Sequence, residues 1–245
     1  MVNEAPAELA VVMPAYNEEE ELRRVLPQWL EVLENLRVDY VLHVYDDGST
    51  DGTLQVLQSA AASRPRLAVH TVPHGGHGPA ILRAYRDNAQ IPWIFQADSD
   101  GEIPPRYFPQ LWDHRHRADF VVGRRLHRRE PLPRRTVSRL AFLLTRALFG
   151  PGTIQDVNIP FRLLRTAAFR AAFALIPEGT FAPNVLLSGY AAHRRLRIVQ
   201  VDITEYQPRP RPVTASLRSW RILPTALRAG WQTVLFRLRL ARRPS

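Results

Sequence analysis

The chain has 245 residues, 45% hydrophobic and 23% charged, values that suit a folded core and do not make disorder the default. It contains no cysteine, which excludes disulfides and thiolate metal sites and fits a reducing compartment. The formal net charge of +10 is split unevenly: 8 arginines against 16 acids over residues 1–110, then 25 against 7 over residues 111–245, with no lysine at all. The second half therefore suits an anionic partner: a pyrophosphate, an anionic lipid surface or a nucleic acid. The N-terminus carries early acids and a short apolar run, unlike a secretory signal, and no apolar stretch reaches the ~18–20 residues that span a bilayer. The expected location is the cytoplasm, with peripheral attachment to the inner membrane face as an extension of it.

In chain order, residues 9–14 (LAVVMP) form an apolar run closed by proline, the pattern of a buried strand. Residues 18–36 place Leu22, Val25, Leu26, Trp29, Leu30 and Leu33 at helical spacing, with acids in the first turn. A second strand starts at Tyr40 and runs into the turn DDGSTD, followed by a helix at 53–62. A third strand is expected at 67–72, a glycine turn and helix at 76–89, and a fourth strand at 93–97. This alternation predicts an α/β fold, a parallel sheet with helices on both faces. Beyond residue 105 the pattern loosens: a strand and basic loop at 118–125, an amphipathic helix at 136–150 carrying Arg139 and Arg146, a strand at 197–203, and a stiff basic loop at 208–213. The tail, 217–243, puts Trp220, Leu223, Leu227, Trp231, Val234 and Leu238 on one helical stripe flanked by arginines.

Ligands of open α/β sheets bind beyond the carboxyl ends of the strands. Three polar clusters fall there: PAYNE (14–18), DDGSTD (46–51) and DSD (98–100). Alone, DSD reads as a solvated turn, and DDGSTD as a helix N-cap at Ser49 or Thr50. Together, on consecutive units of one sheet, they gather Asp46, Asp47, Asp98 and Asp100 along one rim. Those like charges call for a hard cation, and Mg²⁺ typically takes one or two carboxylates plus substrate phosphates. His74 and His77 lie on the glycine turn, with no third metal ligand evident near them in sequence.

Pro-Ala-Tyr-Asn-Glu, Asp-Asp-Gly-Ser-Thr-Asp and Asp-Ser-Asp together resemble the family 2 glycosyltransferases of the GT-A fold. The glycine turn and helix HGGHGPAILRAYRDN and the segment VVGRR fit the same resemblance. PLPRRTVSR and DVNIPFRLLR resemble segments of the polyprenyl-phosphate sugar transferases, the dolichol-phosphate-mannose-synthase-like branch. The second usually reads Asp-x-x-Ser-Gly-Phe-Arg; here Ile159 and Pro160 replace Ser-Gly, which bears on the acceptor. The resemblance covers roughly residues 9–205. It implies a nucleotide-binding half at 1–105, an acceptor half at 106–215 and a basic tail at 216–245. It implies a nucleotide-sugar donor, UDP- or GDP-linked, with Pro14, Ala15, Tyr16 and Glu18 framing the nucleoside. Asp46 and Asp47 would then meet base and ribose, with Asp98 and Ser99 beside them. Asp98 and Asp100 would hold Mg²⁺ or Mn²⁺ on the diphosphate, with Glu102 as third ligand. Arg124, Arg125, Arg134 and Arg135 would supply cations for phosphates, and Asp156 a base or a group that positions the acceptor. Transfer would be inverting, to a polyprenyl phosphate or, in the alternative, to a hydroxyl of a saccharide or small metabolite.

A nucleic-acid-binding protein is the reading from another class. No helix-turn-helix, zinc-finger or RNP pattern supports it beyond charge, so nucleic acid is not expected as a partner. The tail reads as an interfacial helix on an anionic membrane surface. The alternatives are that its stripe packs on the domain or pairs with a second chain in a homodimer, and Pro224 and Gly230 argue against one unbroken helix.

Overall fold

A computed structural model describes residues 7–126, 132–206 and 222–242, with side chains described from 136 and from 224 in the last two stretches. Strand β1 (Leu9–Ala15) is buried along its whole length. Helix α1 (Glu19–Asn35) buries the six residues that the helical spacing picks out, Leu22 to Leu33, and has Glu19, Glu20 and Glu21 in its first turn. Trp29 of that helix packs on Phe95, Phe108 and Phe161 with ring centroids 5.6–6.1 Å apart, tying it to the sheet. β2 (Tyr40–Asp46), α2 (Thr53–Ala61), β3 (Leu67–Thr71), α3 (His77–Asp87) and β4 (Trp93–Gln96) complete the first half within two residues of the expected bounds.

The sheet has seven strands in the order β3-β2-β1-β4-β6-β5-β7. β5 is Phe120–Arg125, β6 Arg162–Arg165 and β7 Ile198–Ile203. Among the described strands only β6 runs against its neighbours, wedged between β4 and β5. The short α4 (Phe108–Asp113) precedes β5, and α5 (Leu132–Phe149), α6 (Thr166–Leu175) and α7 (Pro183–His193) cover the second half. β1 lies between β2 and β4, and Ala15 pairs with Asp46 at the rim. The ends of three strands thus stand side by side.

The tail forms α8 (Ile222–Ala241). Pro224 falls in its first turn, where a missing N–H costs nothing, so the helix continues unbroken. Gly230 faces α5, where a Cβ would stand 3.5 Å from Leu144. α8 packs on the body through Thr233, Phe236 and Leu240, all buried, and Phe236 meets Phe149 at 6.3 Å. The expected stripe lies on another face: Leu227 (65% exposed), Trp231 (64%) and Leu238 (52%) point to solvent, while Val234 is half-buried. Trp220, the side chain of Leu223 and the basic loop at 208–213 lie outside the described residues. No described helix is long and apolar enough to cross a membrane.

Candidate active site

The loops after β1 and β2 are clasped together by the residues of their motifs. Asn17, at φ 53°, donates its N–H to Ser49 Oγ (2.9 Å), and its Oδ1 accepts from Thr50 N (2.8 Å). Glu18 N donates to Thr53 Oγ1 and Gly52 N to Glu19 Oε2. Ser49 and Thr50 therefore bind the neighbouring loop, and α2 starts later, with Asp51 Oδ1 accepting from Thr53 N at 3.0 Å.

Of the residues expected at the site, Pro14, Ala15, Tyr16, Glu18, Asp47, Asp98, Ser99, Asp100 and Glu102 line one cavity of about 670 Å³. Asp46 does not. Its buried carboxylate turns back to accept from Ser49 N at 3.2 Å and shapes the turn. Asp47 is bracketed by the glycine turn: its carboxylate oxygens accept from Gly75 N and Gly76 N, each at 2.8 Å, and His74 Nδ1 bonds the Asp47 carbonyl at 2.9 Å and lies 3.0 Å from Oδ2. Gly76 sits at φ 92°, a conformation that favours glycine, so the turn can present both N–H groups to one carboxylate. The half-exposed Tyr16 ring stacks on His74 with centroids 4.3 Å apart, giving a flat aromatic platform beside Asp47. That pairing of ring face and carboxylate is suited to a nucleobase, which offers a π-face and N–H donors.

At the end of β4, Asp98 Oδ1 lies 3.0 Å from His77 Nε2. Loss of hydration on burial works to lower the His77 pKa, but the carboxylates of Asp98, Asp100 and Asp47 together outweigh it and raise it above the usual value. Asp100 Oδ1 accepts from Glu102 N at 3.0 Å. Among the described residues no three His, Asp or Glu side chains are gathered as a metal cage. Glu102 lines the cavity beside Asp98 and Asp100, and its Oε2 accepts from Tyr206 Oη at 2.6 Å. Asp98 and Asp100, the two aspartates that follow β4 on this cavity, fit a Mg²⁺- or Mn²⁺-type ion whose remaining ligands are diphosphate oxygens and water.

On the other wall, Arg125 lines the cavity and its guanidinium pairs with Asp156 through Nε (2.8 Å) and Nη2 (2.7 Å), both side chains buried. Asp156 does not line the cavity. Arg124 points away, into a two-bond pair with Asp202 at 2.6 and 2.9 Å, because alternate residues of β5 face opposite sides. The side chains of Arg134 and Arg135 lie outside the described residues. Arg162, wholly buried, donates to the carbonyls of Ile159, Val157 and Asn184 and shapes the 156–161 loop from behind. Of the two residues that replace Ser-Gly, Ile159 is core and Pro160 lines the cavity.

Motif reading left out Phe181, Asn184 and Arg228, which also line the cavity. They come from α7, the loop before it and α8, and only the tertiary fold brings them to the rim. Gly78 could have signalled that approach, since a Cβ there would stand 2.3 Å from the carbonyls of Thr180 and Phe181.

The chain is 29% identical over 188 residues to an undecaprenyl-phosphate 4-deoxy-4-formamido-L-arabinose transferase of Pseudomonas fluorescens, and 32% identical over 190 residues to that of Pseudomonas paraeruginosa. Each alignment covers 76% of this chain, which spans about half the length of these relatives, 54% and 55%. Among solved structures, glucosyl-3-phosphoglycerate synthase of Mycobacterium tuberculosis, in complex with Mn²⁺, UDP and phosphoglyceric acid, superimposes with a TM-score of 0.66. That match covers 91% of this chain and 78% of the other at 20% identity. Residues 1–349 of TarS from S. aureus align at 0.53, over 80% of this chain and 60% of theirs, at 19% identity. These likenesses bear out the GT-A fold. The glycosyl transferase family 2 profile matches residues 10–173, and with the motifs assembled on one cavity, the chain belongs to that family.

Proposed function

We propose that the protein transfers a sugar from a nucleoside-diphosphate sugar to a polyprenyl phosphate, with inversion at the anomeric carbon. The observation that carries this reading is the single cavity in which Tyr16 and Asp47 stand beside Asp98 and Asp100. Tyr16 offers a stacking face, Asp47 accepts from base or ribose donors, and the two later aspartates face the diphosphate. A bound divalent ion would offset charge that builds on the departing diphosphate. In the transfer, an acceptor phosphate oxygen forms the new bond to the anomeric carbon. The bond from that carbon to the diphosphate oxygen breaks, and its electron pair leaves with the nucleoside diphosphate. An ionised phosphate needs no base, so Asp156 is assigned to holding Arg125 toward the cavity. Arg125 in turn offers positive charge to the phosphates.

The lipid acceptor is supported by the undecaprenyl-phosphate transferases among the relatives and by the second half's arginine surplus. The exposed row of α8 and the exposed Leu140 and Leu143 of α5, beside Arg139 and Arg146, support peripheral docking on an anionic membrane. The test is a panel of UDP- and GDP-sugars with Mn²⁺ or Mg²⁺, each offered undecaprenyl phosphate or a saccharide acceptor. The proposal expects metal-dependent formation of a glycosyl lipid phosphate. Transfer to saccharide hydroxyls alone would replace the acceptor and leave the donor half standing.

A further inference from the structure

The mouth of the cavity is partly built by α8. Arg228 lines it with Gly179 and Phe181, and its Nη2 donates to Gly179 O at 3.1 Å. One turn on, Gln232 Oε1 accepts from Phe181 N at 3.0 Å. Two side chains of one helix thus hold the loop before α7, whose other side presses its carbonyls against Gly78 of α3. The rim is fixed from both sides. The loop's acid, Glu178, is turned to Arg86 at 3.4 Å, and Arg228 brings a positive charge to this edge.

Outside that edge the surface changes character. Phe181 is 47% exposed, and Leu227 and Trp231, four residues apart, form a solvent-facing row beside the row Arg228–Gln232. Of the five N–H donors of a guanidinium, the Gly179 carbonyl takes one, so Arg228 keeps donors for a ligand. A cation inside a pocket mouth, bordered outside by exposed aromatic and leucine side chains, matches an amphiphile with a phosphate head and a hydrocarbon tail. We infer that α8 carries the acceptor subsite: Arg228 receives the acceptor phosphate, and Phe181, Leu227 and Trp231 take the prenyl units next to it. This rests on the lipid-phosphate reading of the acceptor and adds where that acceptor sits.

Geranyl phosphate, a soluble short prenyl phosphate, is the probe for the full-length protein. Binding should change tryptophan fluorescence in the wild type, and Trp231→Phe should abolish most of the change. Arg228→Ala should weaken binding about tenfold or more, as for a lost hydrogen bond to a charged group, with Arg228→Lys recovering part of it. Leu227→Ser should weaken geranyl phosphate while leaving inorganic phosphate unaffected. In turnover, Arg228→Ala should raise the acceptor KM by a similar factor with an unchanged donor KM. Equal melting temperatures would exclude misfolding as the cause. Wild-type affinity in Arg228→Ala, or inorganic phosphate binding as tightly as geranyl phosphate, would overturn the subsite while leaving the lipid acceptor in place. A protein that binds no prenyl phosphate and glycosylates only sugar hydroxyls would overturn both.

Discussion

Arg125 grips Asp156 with two nitrogens, at 2.8 and 2.7 Å, and its guanidinium also lies over the Tyr206 ring, 5.0 Å from the centroid. The arginine faces the cavity and the aspartate stands behind it, so the pair works as one unit. Asp156→Ala and Arg125→Ala should each lower kcat by a similar factor, and the double variant should lose no more than either one. Breaking a buried pair commonly costs ~3–5 kcal/mol, so both single variants should also melt earlier. Fully additive kinetic losses would restore Asp156 as an independently acting group.

Asp98 and Asp100 are the carboxylates proposed to meet the metal–diphosphate, whereas Glu102 is engaged by Tyr206. Asp100→Ala should abolish Mn²⁺-dependent turnover, at least ~100-fold, and remove Mn²⁺-dependent UDP binding in calorimetry. Glu102→Gln keeps a hydrogen-bond acceptor for Tyr206 and should lose far less. A folded Asp100→Ala protein with normal metal-dependent activity would remove the assignment.

Tyr16 stacks on His74 at 4.3 Å, and the exposed side of its ring is the one proposed to take a base. Base–aromatic stacking is worth ~1–3 kcal/mol, so Tyr16→Ala should weaken nucleotide binding by roughly 5- to 150-fold, and Tyr16→Phe should be nearly silent. Asp47→Ala should do similar damage for a second reason: two glycine N–H groups lose their acceptor and the turn under His74 loosens. Calorimetry with UDP and GDP measures both and also tells which base the site prefers.

The first half of this fold was legible because its strands are largely apolar and each is followed by a helix with one apolar face. The motif residues could be placed because parallel strands put their carboxyl ends on one rim. The second half was less legible. β6 is four residues, Arg162–Arg165, with arginine at both ends, and its core-facing Arg162 is satisfied by carbonyls that sequence cannot place. Identical residue types also part company by one position: Asp46 turns inward while Asp47 faces the cavity, and Arg124 and Arg125 diverge in the same way. For α8 the stripe was visible. That the helix would pack by Thr233, Phe236 and Leu240 instead was not, because that choice is made by the partners on α5 and α7.

The outer sheet edge holds an acid-sensitive pair. His43 Nδ1 lies 3.0 Å from His70 Nε2, and burial, then the neighbouring His70, lowers the His43 pKa to about 4. Burial lowers that of His70 as well. Below about pH 6.5 the unfolded chain takes up a proton that folded His43 refuses until about pH 4, so stability falls as pH drops through that window. The loss is on the order of 2–3 kcal/mol. His43→Phe should flatten this part of the acid limb in urea titrations at pH 7 and pH 5. A stability difference between wild type and variant that is the same at both pH values would show that His43 does not carry it.

Docking on a membrane is tested with residues that do not line the cavity. Leu140 and Leu143 on α5 and Leu235 and Leu238 on α8 are exposed, and the two helices touch where Leu144 meets Gly230. Neither helix contains an acid, and Arg139, Arg146 and Arg239 are exposed among those leucines. Four leucines left in water by a monomer are a reason to seek a covering surface, and the arginines favour an anionic one. Each arginine adds ~1 kcal/mol at most and is screened by salt, whereas the leucine contribution is not. The wild type should therefore co-sediment with phosphatidylglycerol vesicles, more weakly at high salt but still measurably. Replacing the four leucines by serine should remove the salt-resistant part, and replacing the three arginines by glutamine the salt-sensitive part. Neither set touches the cavity, so turnover of geranyl phosphate in solution should survive both. Protein that stays in the supernatant at low and high salt would leave the leucines to a second copy of the chain, which sedimentation equilibrium would then detect as a dimer.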